Sequence, residues 1–94
     1  MEFEWDEEKA ATDVRKHGIA FDRAAEVFRD PLHDTVDDEF SVGEQRLRTT
    51  GVVRGIGLIV VIHTVENEGQ GDELIRLISA RRAEPHERRA YENG

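Results

Sequence analysis

The pattern of apolar and polar residues along the chain predicts five β-strands. MEFEW (1–5) and QRLRTTGVV (45–53) alternate with the period of a strand that has one buried face. LIVVIHTV (58–65) is apolar and β-branched, which predicts the central strand. HDTVDDEF (33–40) is polar and predicts a weak edge strand, and LIRLISAR (74–81) predicts the last strand.

Two helical patterns lie between the first and second predicted strands. DEEKAATDVRKHG (6–18) opens on an aspartate N-cap with acidic residues behind it, and ends with Lys16 and His17 before a glycine. These end charges match the dipole of a helix. FDRAAEVFRDP (21–31) repeats apolar residues at the i, i+3, i+4, i+7 spacing and stops at an Asp-Pro pair.

PHERRAYE (85–92) predicts a third helix, because proline suits the first turn of a helix. The order of elements is therefore β-α-α-β-β-β-β-α, in a single domain spanning residues 1–94. Short links between sequential strands favour an antiparallel sheet, and we expect the helices to pack mainly on one face of it. The predicted fold class is α+β.

Composition excludes several kinds of protein. The 94 residues include no cysteine, so disulfides and thiolate metal sites are excluded. The longest apolar run, residues 58–62, is too short to span a bilayer. The acidic N-terminus lacks the pattern of a signal peptide, and we expect a soluble cytoplasmic protein that does not bind a membrane.

Charge is distributed unevenly along the chain. The net charge is −8, with −9 on residues 1–44, +1 on residues 45–94 and +3 on residues 75–91. The overall acidity argues against nonspecific nucleic-acid binding, which usually shows as a basic surface. The acidic half fits either a solubilising surface or a docking surface for a basic partner.

The four histidines are scattered, and the sequence contains no HExxH or comparable pair, so we expect no metal site. His17 fits a partner of the helix dipole as well as a functional group. His63 alternates with the apolar residues of the central strand, so a buried structural histidine and a functional one both remain open. His33 and His86 lie near turns and are expected to be solvated.

The arginines carry the strongest chemical signal. Arg76 lies on the last strand with Arg81 and Arg82 at its end, and Arg46 and Arg48 share one face of an earlier strand. Guanidinium groups bind phosphate in a bidentate manner. An arginine cluster held at the end of a strand can therefore bind a phosphodiester.

Glu87 and Tyr91 are four residues apart and share a face of the last helix. A carboxylate, a phenol and several arginines suffice for metal-independent RNA cleavage, in which a base activates the 2′-hydroxyl and arginines stabilise the phosphorane-like charge. The alternative is that Glu84–Arg88 and Arg88–Glu92 are ordinary i,i+4 pairs on a solvated helix.

Several stretches, in order from Phe3 to Tyr91, together resemble one family. They are FEWDEEKA, KHGIAF with the AxxVFxDP that follows, GEQR, VIHT, and IRLISARRA followed by ERRAYE. These stretches resemble the BrnT toxins of bacterial type II toxin–antitoxin systems.

The resemblance implies a RelE-like fold and an endoribonuclease that arrests translation and growth without a metal or other cofactor. It also implies a BrnA-like antitoxin with a ribbon-helix-helix domain, through which the complex dimerises and reaches operator DNA. Carried over by position, the implied catalytic residues are Arg76, Arg81, Arg82, His17, Glu87 and Tyr91. Arg46 matches the GExR element, and we expect it to bind RNA together with Arg48 and His63. Either His17 or His63 is expected to serve in acid–base work.

One departure from the family pattern concerns the stretch after the central strand. The family often has an arginine there, in a TER-like sequence, whereas this chain reads His63-Thr64-Val65-Glu66. Loss of one phosphate-binding arginine predicts weaker transition-state stabilisation. A second hypothesis is therefore a non-enzymatic module that caps an antitoxin and tunes its repression of DNA, with the acidic surface docked on a basic segment.

Overall fold

The computed structural model describes residues 1–39, 43, 45–67, 69 and 71–94. Within these ranges the elements follow the predicted order: β1 (Glu2–Glu4), α1 (Glu7–His17), α2 (Phe21–Ala24), a 3₁₀ helix (Ala25–Arg29), β2 (Asp34–Asp37), β3 (Leu47–Val53), β4 (Gly57–Asn67), β5 (Glu73–Arg82) and α3 (Pro85–Asn93). Phe40 of the predicted edge strand, Glu44 of GEQR, and Glu68 and Gln70 of the predicted loop lie outside the described residues.

The five described strands form one sheet in the order β1-β5-β4-β3-β2, with the predicted apolar strand β4 at its centre. The pairs β2–β3, β3–β4 and β4–β5 are antiparallel, but β1 runs parallel to β5. The prediction of an antiparallel sheet is therefore wrong for β1. Short hairpins impose antiparallel pairing only on consecutive strands, and β1 pairs instead with the strand most distant from it in sequence.

The sheet carries helices on both faces. Gly51 of β3 lies against Val27 of the 3₁₀ helix so closely that a Cβ there would come within 2.8 Å of the Val27 carbonyl oxygen. Thr50, the preceding residue, lies beside Glu87 and Tyr91 of α3. Because consecutive strand residues point to opposite faces, α3 covers the face opposite the N-terminal helices. The expectation that the helices pack mainly on one face holds for α1 and α2 but not for α3.

We call the face under the N-terminal helices the core face. Its buried apolar residues are Ala10, Ile19, Phe21, Ala24, Val27, Val53, Ile59, Val61, Ile75, Leu77 and Ala80. Trp5 packs edge-on against Phe21, and Phe3 of β1 packs against Phe28, with ring centroids 6.0 Å and 5.6 Å apart. These aromatic contacts attach β1 to the helices above the sheet.

The predicted helix ends are confirmed for α1. Asp6 Oδ1 accepts hydrogen bonds from the backbone N–H groups of Glu8 and Lys9, and Gly18 closes the helix in the left-handed region with φ 76°. The second predicted helix is divided, with an α-helical turn followed by the 3₁₀ helix that ends before Asp30. In the described part of the chain, no helix has the length and apolar character needed to cross a membrane.

Candidate functional site

A β-bulge in β5 decides which arginines share a face. Ile62 pairs with Ser79, whereas His63 pairs with Leu77, so Ile78 is an extra residue in β5. An extra residue reverses the alternation of every side chain after it. Arg76 and Arg81 are an odd number of residues apart, yet the bulge puts both on the face opposite the core.

We call this face the arginine face and define it by Arg48, Thr50, Val60, Arg76 and Arg81. The register supports the assignment, because Arg81 and Thr50 pair with Val60, and Arg48 pairs with Ile62. Arg76 lies between the buried core residues Ile75 and Leu77 and therefore points away from the core.

Arg82 lies on the opposite side of the sheet from Arg81. Its Nη1 donates to the carbonyl oxygen of Ile56 at 2.9 Å, which ties β5 to the turn before β4. The prediction that Arg76, Arg81 and Arg82 act as one cluster is wrong in this respect. Adjacent strand residues point to opposite faces, and the bulge at Ile78 is the reason that Arg81, and not Arg82, shares the face of Arg76.

Asp13 of α1 holds the bulge from the core side. Its side chain is buried, with Oδ1 accepting from Ser79 Oγ and Oδ2 accepting from the Ala80 backbone N–H, both at 3.0 Å. These two bonds fix the backbone immediately after Ile78. The orientation of Arg81 therefore depends on a helix that lies on the other side of the sheet.

Replacing Asp13 with alanine is expected to lower the free energy of unfolding by about 1–3 kcal/mol, because it leaves the buried Ala80 N–H without its acceptor. Asp13→Asn is the matched control and is expected to lose less, since an amide oxygen still accepts from Ala80. Denaturant unfolding of both variants measures the difference. Equal stability of Asp13→Ala and the parent protein would contradict the assigned role.

Arg81 and Arg48 meet at the carboxylate of Glu87. Arg81 Nη1 and Nη2 donate to Glu87 Oε1 and Oε2 at 2.7 and 2.9 Å, and Arg48 Nε lies 3.8 Å from Oε2. Oε1 also accepts from the backbone N–H of Glu84 at 2.8 Å. The Glu87 side chain is 5% exposed, whereas those of Arg81 and Arg48 are 27% and 22% exposed. The Arg81 guanidinium is thus held by a buried anion, with the Arg48 guanidinium beside it, while part of each faces solvent.

The ionisation of this cluster is fixed at neutral pH. The hydrogen bonds from Arg81, with those from the Glu84 backbone and the nearby Arg48 charge, outweigh burial and lower the pKa of Glu87 to about 2. Glu87 in turn raises the pKa of Arg81. A carboxylate of such low pKa is a poor base and carries no proton to donate. Glu87 therefore orients the arginines and does not transfer protons.

Tyr91 is also engaged inside the protein. Its hydroxyl donates to Asp30 Oδ2, which accepts from the Val52 N–H as well, while Oδ1 accepts from the Leu32 N–H. The hydrogen bond to Asp30 raises the pKa of Tyr91 to about 12. The contact fastens α3 to the segment after the 3₁₀ helix and keeps the phenol protonated.

His63 lies on the core face and is 1% exposed. Its Nε2 is 2.7 Å from Thr49 Oγ1, and its ring packs edge-on against Phe28. Burial lowers the pKa of His63, so the ring is held neutral. Its burial overturns the prediction of an RNA contact, because alternation placed His63 on the face that the helices cover.

The remaining predicted site residues occupy different places. His17 is exposed at the end of α1, the helix layer on the core side. Arg46 immediately precedes β3, and its buried Nε has no hydrogen-bond partner among the described residues. Among the described residues, neither forms a hydrogen bond or ion pair with Arg81 or Glu87.

His86 is the histidine that lies beside the arginine face. It is 64% exposed and lines a shallow groove of about 100 Å³ together with Arg48, Thr50, Glu87 and Tyr91. The sequence placed it only near a turn. Its position next to Glu87 in the sequence was the one indication that His86 could belong to the site. The sequence pattern does not show which face of the predicted helix packs on the sheet.

Glu84, His86 and Glu87 bring ligand atoms within 4.8 Å of one another. Both Glu87 oxygens, however, already accept hydrogen bonds from Arg81. Coordination of a cation by this group requires breaking that ion pair beside two guanidinium charges, which disfavours it.

Comparisons with known proteins cover most of the chain. A family model described as "Ribonuclease toxin, BrnT, of type II toxin-antitoxin system" matches residues 5–87. The fold is similar to the crystal structure of the Brucella abortus ribonuclease toxin BrnT, with a TM-score of 0.62 and 28% sequence identity, over 89% of this chain and 97% of that chain. No curated protein matches the chain. The matched range includes the arginine face and Glu87 and ends before Tyr91.

Proposed function

Because this chain belongs to the BrnT family of ribonuclease toxins of type II toxin–antitoxin systems, we propose that it is a metal-independent endoribonuclease that cleaves RNA and arrests translation. The observation that carries the proposal is the pair of guanidinium groups, Arg48 and Arg81, held side by side on Glu87. Such a pair is preorganised for a phosphate, because its orientation is fixed before the ligand arrives.

In the proposed reaction, the 2′-oxygen of a ribose attacks the adjacent phosphorus and the bond to the 5′-oxygen breaks. Arg81 and Arg48 stabilise the charge that develops on the phosphoryl oxygens. A base takes the 2′-hydroxyl proton and an acid returns one to the leaving 5′-oxygen. We propose His86 as the group that takes part in these proton transfers. Imidazole can both accept and donate a proton near neutral pH, and His86 lines the same groove as Arg48.

The other basic residues are proposed to bind flanking parts of the RNA. Arg76 pairs with Thr64, four residues along β4 from the partner of Arg81, which is a separation of about 13 Å along the strand. Arg76 is thus suited to a neighbouring phosphate, and Arg46 extends the same positive surface next to β3. His17 and Arg82, which lie on the core side, are not assigned a role in catalysis.

The proposed partner in the bacterial cytoplasm is a BrnA-like antitoxin with a ribbon-helix-helix domain. It would neutralise the toxin and link two toxins through its own dimer. Operator DNA would be contacted only by the antitoxin. The net charge of −8 on the toxin is consistent with this indirect role.

Expression of the chain with and without its antitoxin tests the proposal. We expect growth arrest and RNA cleavage by the lone protein, cleavage that persists in EDTA, and suppression of both effects by the antitoxin. The competing function is a module that only caps the antitoxin, which the exposed Glu66 in place of the usual arginine favours. Tight complex formation with no cleavage of ribosome-bound or free RNA would overturn the ribonuclease proposal.

A further inference from the structure

The outer edge of β2 has the features of a docking site for another chain. β2 is the last strand of the sheet, and all four of its residues are exposed. No strand among the described residues pairs with its outer side. Exposed apolar residues lie on and just before this strand, with Val36 41% exposed and Leu32, two residues before β2, 71% exposed. An edge of this kind is a template for an added strand.

The register identifies which backbone groups face outward. The Asp38 N–H donates to the Arg46 carbonyl at 2.9 Å, so these two residues form a hydrogen-bonded pair of the β2–β3 ladder. Hydrogen-bonded pairs alternate with non-bonded ones in antiparallel strands. Asp34 and Val36 therefore bond inward to β3, and the N–H and C=O groups of Thr35 and Asp37 point outward.

The side chains at this edge define the chemistry of the occupant. Asp34 and Val36 border the groove beneath α3, together with Ala90 and the Tyr91 ring. Asp37 is exposed on the same strand, with Gln45 donating to its Oδ1. Two copies of this acidic edge repel each other, which disfavours pairing of the chain with itself. A segment with alternating basic and apolar side chains complements both the charge and the groove.

We propose that β2 accepts an extended basic segment of the antitoxin as a sixth strand, bonded to the backbone of Thr35 and Asp37. An apolar side chain of that segment packs on Val36, and a basic one lies against Asp34. Because Arg48 pairs with Val36 across the ladder, the added strand covers one side of the arginine face. The proposal rests on the family membership, which implies a protein antitoxin, and does not require that RNA cleavage occurs.

Hydrogen exchange of the purified toxin–antitoxin complex, read by NMR, tests the proposed strand directly. The amides of Thr35 and Asp37 are expected to exchange slowly in the complex and fast in the free toxin, because only the complex supplies their acceptors. If a tight complex forms and both amides still exchange as in the free protein, the proposal is overturned. Protection that appears in the toxin alone as its concentration rises would instead indicate a second copy on this edge and overturn it too.

Two pairs of variants test the side chains. Val36→Arg and Asp34→Lys are expected to weaken antitoxin binding by roughly tenfold or more, through lost apolar contact and reversed charge. The matched controls are Val14→Arg, at a valine that is 38% exposed on α1, and Glu2→Lys on the other edge strand. Thermal unfolding confirms that each variant folds. Greater weakening by the controls than by the β2 variants would overturn the proposal. The readout is antitoxin affinity, so it is independent of whether the toxin cleaves RNA.

Discussion

Replacing Arg81 with glutamine is expected to lower the rate of RNA cleavage by roughly 100- to 1000-fold, the usual effect of removing one transition-state donor. Arg81 is the residue that both holds Glu87 and presents part of its guanidinium to solvent. Glutamine retains similar length but loses the charge and the bidentate geometry. Cleavage of a defined RNA under single-turnover conditions measures the loss of the chemical step.

Arg88→Gln is the matched control for this experiment. Arg88 is exposed on α3 and lies outside the cluster around Glu87. Its substitution removes the same charge from the chain, so any general effect of net charge on RNA affinity appears in both variants. Because Arg81→Gln also leaves Glu87 without its main partner, both variants are assayed below the temperature at which either unfolds. Similar rates for the two variants would contradict the role of Arg81.

Replacing Glu87 with glutamine is expected to destabilise the protein at neutral pH by up to about 3 kcal/mol. This value corresponds to a Glu87 pKa of about 2 in place of the ordinary 4.5. The stabilisation is fully present above pH 4.5, where the carboxylate is ionised in both the folded and the unfolded chain. It is lost as pH falls through the folded value, so the stability difference between parent and variant shrinks between about pH 4.5 and pH 2.

Denaturant unfolding of the parent and Glu87→Gln at neutral pH and at several acidic values measures this convergence. Glu92→Gln is the control, since Glu92 is an exposed carboxylate on the same helix. Glu87→Gln is also expected to cleave RNA more slowly, because Arg81 and Arg48 lose the anion that orients them. A constant stability difference across the acidic range would show that the Glu87 charge does not stabilise the fold.

The order of elements was predictable because each has its own periodicity and end signals. Asp6 and Gly18 bound α1 as their capping chemistry dictates, and the apolar β4 lies at the centre of the sheet. These features depend on residues close together in the sequence. The parallel pairing of β1 with β5 depends instead on contacts such as that between Phe3 and Phe28, which the sequence pattern does not specify.

The grouping of the candidate site residues was only partly predictable. The sequence indicated Arg76, Arg81 and Arg82 as one group. Strand alternation alone could not predict which of them share a face, because the sequence pattern does not reveal the bulge. That bulge is supported by Asp13, which contacts Ser79 and Ala80 from a helix more than sixty residues earlier. His86 is exposed as expected, and His63 takes the buried alternative that alternation had left open.

We expect Arg81, and not its neighbour Arg82, to contact RNA, because the two side chains lie on opposite faces of the sheet. The most direct test compares single-turnover cleavage of one RNA by Arg81→Gln and Arg82→Gln. These variants remove the same charge at adjacent positions that point to opposite faces, and the bulge determines that Arg81 is the one on the arginine face. We expect a loss of roughly 100-fold or more for Arg81→Gln and a rate close to the parent for Arg82→Gln. An equal loss in both variants, or a larger loss for Arg82→Gln, would contradict it.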